Sequence, residues 1–250
     1  MYLIGSIGRC ARRLRRDIGG LALLEFAFTL PIVLGLGAYG TEVAWLAYMN
    51  LRVSQIALAL ADNASRVGIQ GSLSIQQLRE VDVNDVLQAI RIQGQSMQLT
   101  TRGRVTLSSL ENVQRSYPDG TSDAAPVQRI HWQRCIGLKS GSAYDSYYKA
   151  NVSATDGSTA NSADKGYDLP GGMTDGTGAA AVTAPSGSAL MFVEINYQTQ
   201  PLFGSFFMSP ARIHYIASFI VRDRRDFSQL FNPTPAVTTA NKSTCDLYAA

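Results

Sequence analysis

Two histidines, three cysteines and two glutamates set inside an apolar stretch give this 250-residue chain most of its chemical reach. His131 and His214 each fall within a run of β-forming residues. Neither has a metal-ligand partner at motif spacing, so both read as ordinary sheet histidines. No G-x-S-x-G, H-E-x-x-H or G-K-[ST] signature is present. Gly35, Gly37 and Gly40 match G-x-G-x-x-G, but a dinucleotide fingerprint follows a strand in a βαβ unit, and this copy lies inside an apolar helical stretch. No enzymatic activity, metal or cofactor is expected. The glutamates pose the sharper question. Glu25 and Glu42 bracket sixteen uncharged residues, and an unpaired carboxylate in hydrocarbon costs roughly 3 kcal/mol.

That stretch must position the glutamates, and it reads as a membrane span. Leu21 to Met49 is apolar apart from Glu25 and Glu42. A full crossing needs about 20 residues, so one glutamate belongs at a bilayer edge. Trp45 and Tyr48 are of the type that gathers at membrane interfaces, which puts Glu42 at the outer boundary and Glu25 inside the inner leaflet. Residues 1–20 hold five arginines and one acid, whereas the remaining 230 residues sum to −1. The basic character of the chain is therefore that of its leader, and a nucleic-acid-binding body is excluded. The arginines predict a cytoplasmic N-terminus and about 200 exported residues. Three readings stand at this point: an uncleaved signal anchor, a secretory signal cut near Ala38 or Gly40, and a leader cut after Gly20.

The run Arg15-Arg16-Asp17-Ile18-Gly19-Gly20-Leu21-Ala22-Leu23-Leu24-Glu25-Phe26, with Pro31 a few positions on, resembles the start of TadE-like proteins. These are minor pilins, or pseudopilins, of the tight-adherence (Flp, type IVc) pilus system. The resemblance implies processing by a prepilin peptidase after Gly20, with Leu21 as the new N-terminus and Glu25 as the fifth mature residue. It also implies a bacterial inner-membrane location with the C-terminal domain in the periplasm. Sister minor pilins and an assembly platform with its ATPase would be the partners, alongside membrane lipid and no nucleic acid. The spacing makes chemical sense, because a freed α-amino group is largely protonated near neutral pH. Glu25 lies one helical turn beyond it, or opposite the terminus of a neighbour. Segments near Phe192–Phe203 and Val221–Gln229 share a looser likeness to the family. An uncleaved signal-anchored periplasmic binding or scaffold protein is the alternative reading.

The rest of the chain predicts an α+β fold, with a long helix leaving the membrane and an antiparallel sheet of about four strands. The expected organisation is a leader (1–20), a membrane helix (21–49), an amphipathic helical segment (50–94), an outer domain (95–232) and an extended tail (233–250). Pro31 should bend the membrane helix by leaving the Ala27 carbonyl unpaired. Val53, Ile56, Ala57, Leu60, Ala61, Ala64 and Val67 form one stripe at helical period. A second helix is expected around Ile75–Ile92. Strands are expected at Arg104–Leu110, Val127–Arg134, Ala189–Tyr197 and Ile213–Val221, with Pro118-Asp119-Gly120 turning between the first two. Residues 139–188 are dense in Gly, Ser, Ala, Asp and Thr, and are expected to be mobile or only partly ordered. Arg222 to Asp226 alternates in sign and reads as a solvated strand end. Of the cysteines, Cys10 lies in the leader. Cys135 and Cys245 would pair in an oxidising compartment, with free buried thiols as the other reading.

Overall fold

The computed structural model describes residues 19–70, 75–148, 156–174, 176 and 180–249. The basic leader up to residue 18, with Cys10, lies outside the described residues, as do parts of the Gly/Ser-rich segment. The chain divides into two compact units: Met1–Ala47 with Pro201–Ser209, and Tyr48–Gln200 with Pro210–Ala250. One 48-residue helix, α1 (Gly19–Arg66), passes from the first into the second, with Pro31 in its interior.

In the second unit the expected stripe on α1 is buried: Val53, Ile56, Ala57, Leu60, Ala61 and Ala64 are all covered, joined by Met49. Val67 follows the helix and is half-buried. Two short strands, β1 (Ile69–Gln70) and β2 (Gln76–Gln77), pair antiparallel. Helix α2 runs over Glu80–Gln93, and the expected face of Val83, Val86, Leu87 and Ile90 is buried. Its start corrects the expectation, since residues 75–78 are not helical. The Gln76 amide donates to the Arg224 carbonyl at 2.7 Å, and the Gln76 carbonyl accepts from Asp226 at 2.8 Å. That edge pairing holds the chain extended until Arg79, whose backbone N–H and guanidinium both bond the Asp82 carboxylate at 2.6–3.0 Å and fix the first turn. A short helix α3 (Leu99–Arg102) then leads into the main sheet.

The sheet contains β3 (Gly103–Val113), β4 (Val127–Ile136), β5 (Tyr167–Asp168), β6 (Ser188–Gln198) and β7 (Arg212–Ile220), in the order β5-β4-β3-β6-β7. All its pairings are antiparallel. Four strands stand where the β-forming runs placed them. The register passes from Ser109↔Trp132 to Leu110↔Ile130 and leaves His131 as the extra residue of a bulge. Period-2 alternation puts Val105, Leu107, Val193 and Ile195 on one face and Leu110, Ile130, Leu190 and Phe192 on the other. The first face also carries Arg134, whose guanidinium meets Glu80 in the first turn of α2, so that helix lies on this side. Pro118 and Asp119 form the expected turn, closed by Gly120 N–H to the Tyr117 carbonyl at 3.0 Å, with Gly120 at φ +84°.

The opposite face shows that described residues of the 139–188 segment bury more apolar surface than its composition suggests. Met173 and Ala184 are buried in one cluster with Leu110, Ile130, Leu190 and Phe192, and Tyr148, Leu169 and Val182 pack beside them. The same segment supplies the fifth strand, β5. Its small residues let the backbone lie close to the sheet. At Gly166, φ +99°, a Cβ would come within 2.4 Å of the Ile130 carbonyl oxygen, and at Gly157, on the α2 side, within 2.7 Å of the Trp132 side chain. Composition suggested too little apolar surface. A few well-placed apolar residues suffice because the backbone itself makes the contact.

The tail after Asn232 runs along the end of β4. Cys135 and Gly137 donate to the Ser243 and Ala249 carbonyls at 2.6 and 2.7 Å, and Cys135 is disulfide-bonded to Cys245 across a separation of 110 residues. Arg225 overturns the solvated strand end. It is buried, and its Nη2 donates to the Val67 carbonyl at 2.7 Å and to Ala64 and Ser65 at 3.3 and 3.4 Å. A guanidinium there satisfies carbonyls left open at a helix C-terminus and complements its dipole. Burial lowers the Arg225 pKa to about 10.

Candidate functional site

The first unit holds the residues singled out for processing and assembly. Gly20, Leu21, Glu25 and Phe26 occupy the first turns of α1, and all four are exposed. Leu21 and Glu25, four apart, share one flank. Gly19 and Gly20 open the helix, and two glycines make unwinding of that turn inexpensive, as a cut after Gly20 requires. From Phe26 to Leu36 the helix carries no charge and is apolar on every side. Ile32, Val33 and Leu34 are successive residues, hence on different faces, yet each is more than 60% exposed. The helix over Gly20–Arg66 has a mean hydropathy of 2.0 in its most apolar window, none of that window buried within the chain, and by length and composition it is long and apolar enough to cross a membrane. A helix that is hydrophobic all round is built for an apolar surround. Thr29 and Thr41 direct their hydroxyls back to the Phe26 and Gly37 carbonyls at 3.3 and 2.9 Å, so their polarity is satisfied within the helix. A Cβ added at Gly35, Gly37 or Gly40 would meet nothing within 4 Å, so each of these positions is open.

Glu42 has a role the sequence did not disclose. It is 2% exposed, and its carboxylate accepts the Leu202 N–H at 3.0 and 3.1 Å and the Phe203 N–H at 3.2 Å. Both donors belong to the segment Pro201–Ser209, which is part of this same unit. A carboxylate accepting backbone N–H groups in a site shielded from water is a strong, directional clamp. The segment then makes a 3₁₀ turn at Gly204–Phe206, and Phe207 packs edge-on to Phe203 and Phe206 at 6.1 and 4.7 Å between centroids. The only sequence signals were an acid within an apolar helix and an aromatic run far downstream.

The second unit gathers buried charges whose hydrogen bonds are directed inward. His131 Nδ1 lies 2.7 Å from Glu111 Oε1, and Nε2 lies 3.1 Å from Arg115 Nη1. A guanidinium can only donate, so Nε2 accepts and Nδ1–H is the donor to Glu111. Both ring nitrogens are committed, which makes His131 a structural link rather than a base with a free face. Arg134 binds Glu80 through two nitrogens and the Asp156 carbonyl through a third bond of 3.0 Å. Glu194 is 1% exposed and accepts from the Ser146 hydroxyl and the Tyr147 N–H, and burial raises its pKa. A cavity of about 340 Å³ lies between α2 and the tail, lined by Asn84, Gln88, Arg91, Asn241 and Lys242 among others. Among the described residues no cluster of three His, Cys, Asp or Glu side chains is placed to hold a metal. Comparison of the chain with protein-family models, with curated proteins and with solved structures gave no match.

Proposed function

We propose that this chain is a minor pilin or pseudopilin of a tight-adherence (Flp-type) pilus, anchored in the bacterial inner membrane by α1 and processed after Gly20. The observation that carries the reading is Glu25. It is an exposed carboxylate between Leu24 and Phe26, themselves 56% and 61% exposed, on a helix with an apolar surface on all sides. In hydrocarbon that carboxylate needs a cationic partner, and cutting after Gly20 creates one on Leu21, a single turn away or on the next subunit. The cut also removes the five leader arginines that hold the chain at the inner leaflet. A prepilin peptidase makes the cut, and an ATPase-driven platform with sister minor pilins draws the mature helix into the filament. The long exposed helix and the open positions at Gly37 and Gly40, three apart on one face, suit packing among subunits.

N-terminal sequencing of protein purified from membranes tests the reading. Leu21 is the expected first residue, and Gly20→Gln should retain the full leader. Glu25→Ala should still be processed but fail to enter filaments. A mature chain that still begins at Met1 in piliated cells would reduce the protein to a tethered binding or scaffold domain. An assembled pilus built with Glu25→Ala would remove the pairing argument.

A further inference from the structure

The segment Pro201–Ser209 is apolar and exposed at a defined height along α1. Between Glu194 and Arg212 the sequence has no charged residue. Leu202 and Phe203 are each 49% exposed and Phe206 is 83% exposed, the largest exposure of any aromatic ring among the described residues. Soluble loops are polar, and exposed apolar patches on folded proteins mark interaction surfaces. The ends of this loop are pinned outside the patch, where the Thr199 N–H donates to the Ala211 carbonyl at 2.8 Å and the Ala211 N–H donates to the Thr199 hydroxyl at 2.9 Å. Its apex is fixed by the clamp from Glu42 to the Leu202 and Phe203 amides.

The position of Glu42 decides what the patch meets. At 1.5 Å per residue, Leu21 to Glu42 spans about 32 Å, which matches a hydrocarbon core of about 30 Å. Glu42 therefore sits at the edge of the core, one turn before Trp45. A loop held at that level, free of charge and tipped by Leu and Phe, is continuous with the apolar surface of the helix. Interfacial anchors of this type insert a few bulky apolar side chains at the headgroup and acyl boundary. We propose that Pro201–Ser209 is a second membrane contact: Leu202, Phe203 and Phe206 enter the lipid leaflet at the Glu42 end of the span. Glu42 is the positioning residue that holds the loop against α1. The lipid contact fixes the rotation and tilt of the helix as well as its depth. The inference rests on α1 crossing the membrane, and it does not depend on cleavage at Gly20 or on filament assembly.

The test uses the full chain on a Cys10→Ser background, reconstituted in phosphatidylcholine–phosphatidylglycerol vesicles. An environment-sensitive fluorophore is placed in turn at Phe206→Cys, Phe203→Cys and Leu36→Cys. The expected result at 203 and 206 is quenching by lipid spin-labelled near the headgroup and loss of quenching by aqueous iodide. Position 36 should respond best to lipid labelled deep in the acyl chain. Iodide access at 206 with position 36 deep in lipid would overturn the loop contact while leaving the span intact. Shielding from both iodide and labelled lipid would identify a protein occupant, such as a second copy, and would equally overturn it. Absence of lipid quenching at position 36 would remove the membrane span, and the loop contact with it. Glu42→Gln replaces one accepting oxygen with a donor. It should restore iodide access at 206 without changing position 36, and no change at 206 would remove Glu42 as the positioning residue.

Discussion

The two units treat polarity in opposite ways. In the first, Phe28 and Leu36 are 67% and 68% exposed, whereas in the second Arg104, Arg129 and Arg134 are at most 1% exposed. Removing apolar surface from water contributes about 25 cal/mol per Å², so the first unit forgoes a large stabilisation unless an apolar surround supplies it. The second unit faces the reverse problem, because a buried charge is tolerable only when paired and fully hydrogen-bonded. Its arginines meet much of that demand by gripping backbone remote in sequence, although Nε of Arg104 and Arg129 and both Nε and Nη1 of Arg225 stay without a hydrogen-bond partner. Arg104 donates to the carbonyls of Gly137, Cys245 and Leu247. Arg115 reaches Ser228, Arg134 reaches Asp156 and Arg225 reaches the end of α1. The guanidinium suits this work, since it offers five donors in a rigid plane and keeps its proton. The comparison teaches that the second unit buries its apolar side chains in a core and adds cationic links to carbonyls in segments poor in them, while the first unit leaves its apolar side chains outside.

The sharpest way to break the comparison is to remove one partner of a buried pair. Glu80→Ala leaves the Arg134 guanidinium, 0% exposed, without its carboxylate and withdraws the acid that Lys242 approaches at 3.9 Å. A loss of about 3–5 kcal/mol is expected, read by chemical denaturation of the detergent-solubilised chain. The proposed membrane insertion of α1 should be unaffected. Next comes Cys135→Ser with Cys245→Ser, which opens a loop of 110 residues and should cost about 2–4 kcal/mol. Non-reducing peptide mapping checks the starting bond. Met173→Ala follows. Met173 is 0% exposed in the cluster with Phe192, and its truncation should cost on the order of 2–3 kcal/mol. An unchanged unfolding midpoint would return the Gly/Ser-rich segment to a passive loop.

The sequence resolved what depends on local pattern. The four long strands, the stripe on α1 and the buried face of α2 all follow from periodicity, which neighbouring residues carry among themselves. The apolar helix and the positions of Gly20, Glu25 and Pro31 along it were legible for the same reason. What escaped depends on partners remote along the chain. Glu42 and Leu202 stand 160 residues apart, and Arg225 and Val67 stand 158 apart. An acid among apolar residues looks like a boundary marker until its amides are found. Likewise, an alternating charge run looks solvated until one of its arginines turns inward. The packing of the described part of the 139–188 segment was not legible because composition counts apolar side chains, whereas Gly157 and Gly166 work by having none. Residues 75–78 were misread because edge pairing to Arg224 and Asp226 outweighs a weak helical preference.

The smallest predicted effect concerns Glu194, a buried acid in the sheet whose hydrogen bonds come from neutral donors. Glu194 faces the Ser146 hydroxyl at one oxygen and the Tyr147 N–H at 3.4 Å from the other. Burial raises its pKa above the ordinary glutamate value, and these two bonds oppose that shift only in part. In the folded state the proton is therefore held more tightly than in the unfolded chain. This contribution to stability is fully present below the unfolded value, about 4.3, and is lost as pH rises through the folded value. Glu194→Gln cannot ionise, so its stability should not decline over that window, and at neutral pH it should equal or exceed that of the natural chain. Denaturation midpoints of both chains, measured from pH 4 upward, should converge at the acid end and separate toward neutrality. A natural chain that instead gained stability relative to the variant through that window would mean that Glu194 has a cation near it. The contrast between arginine links and this neutral-donor carboxylate would then have to be redrawn.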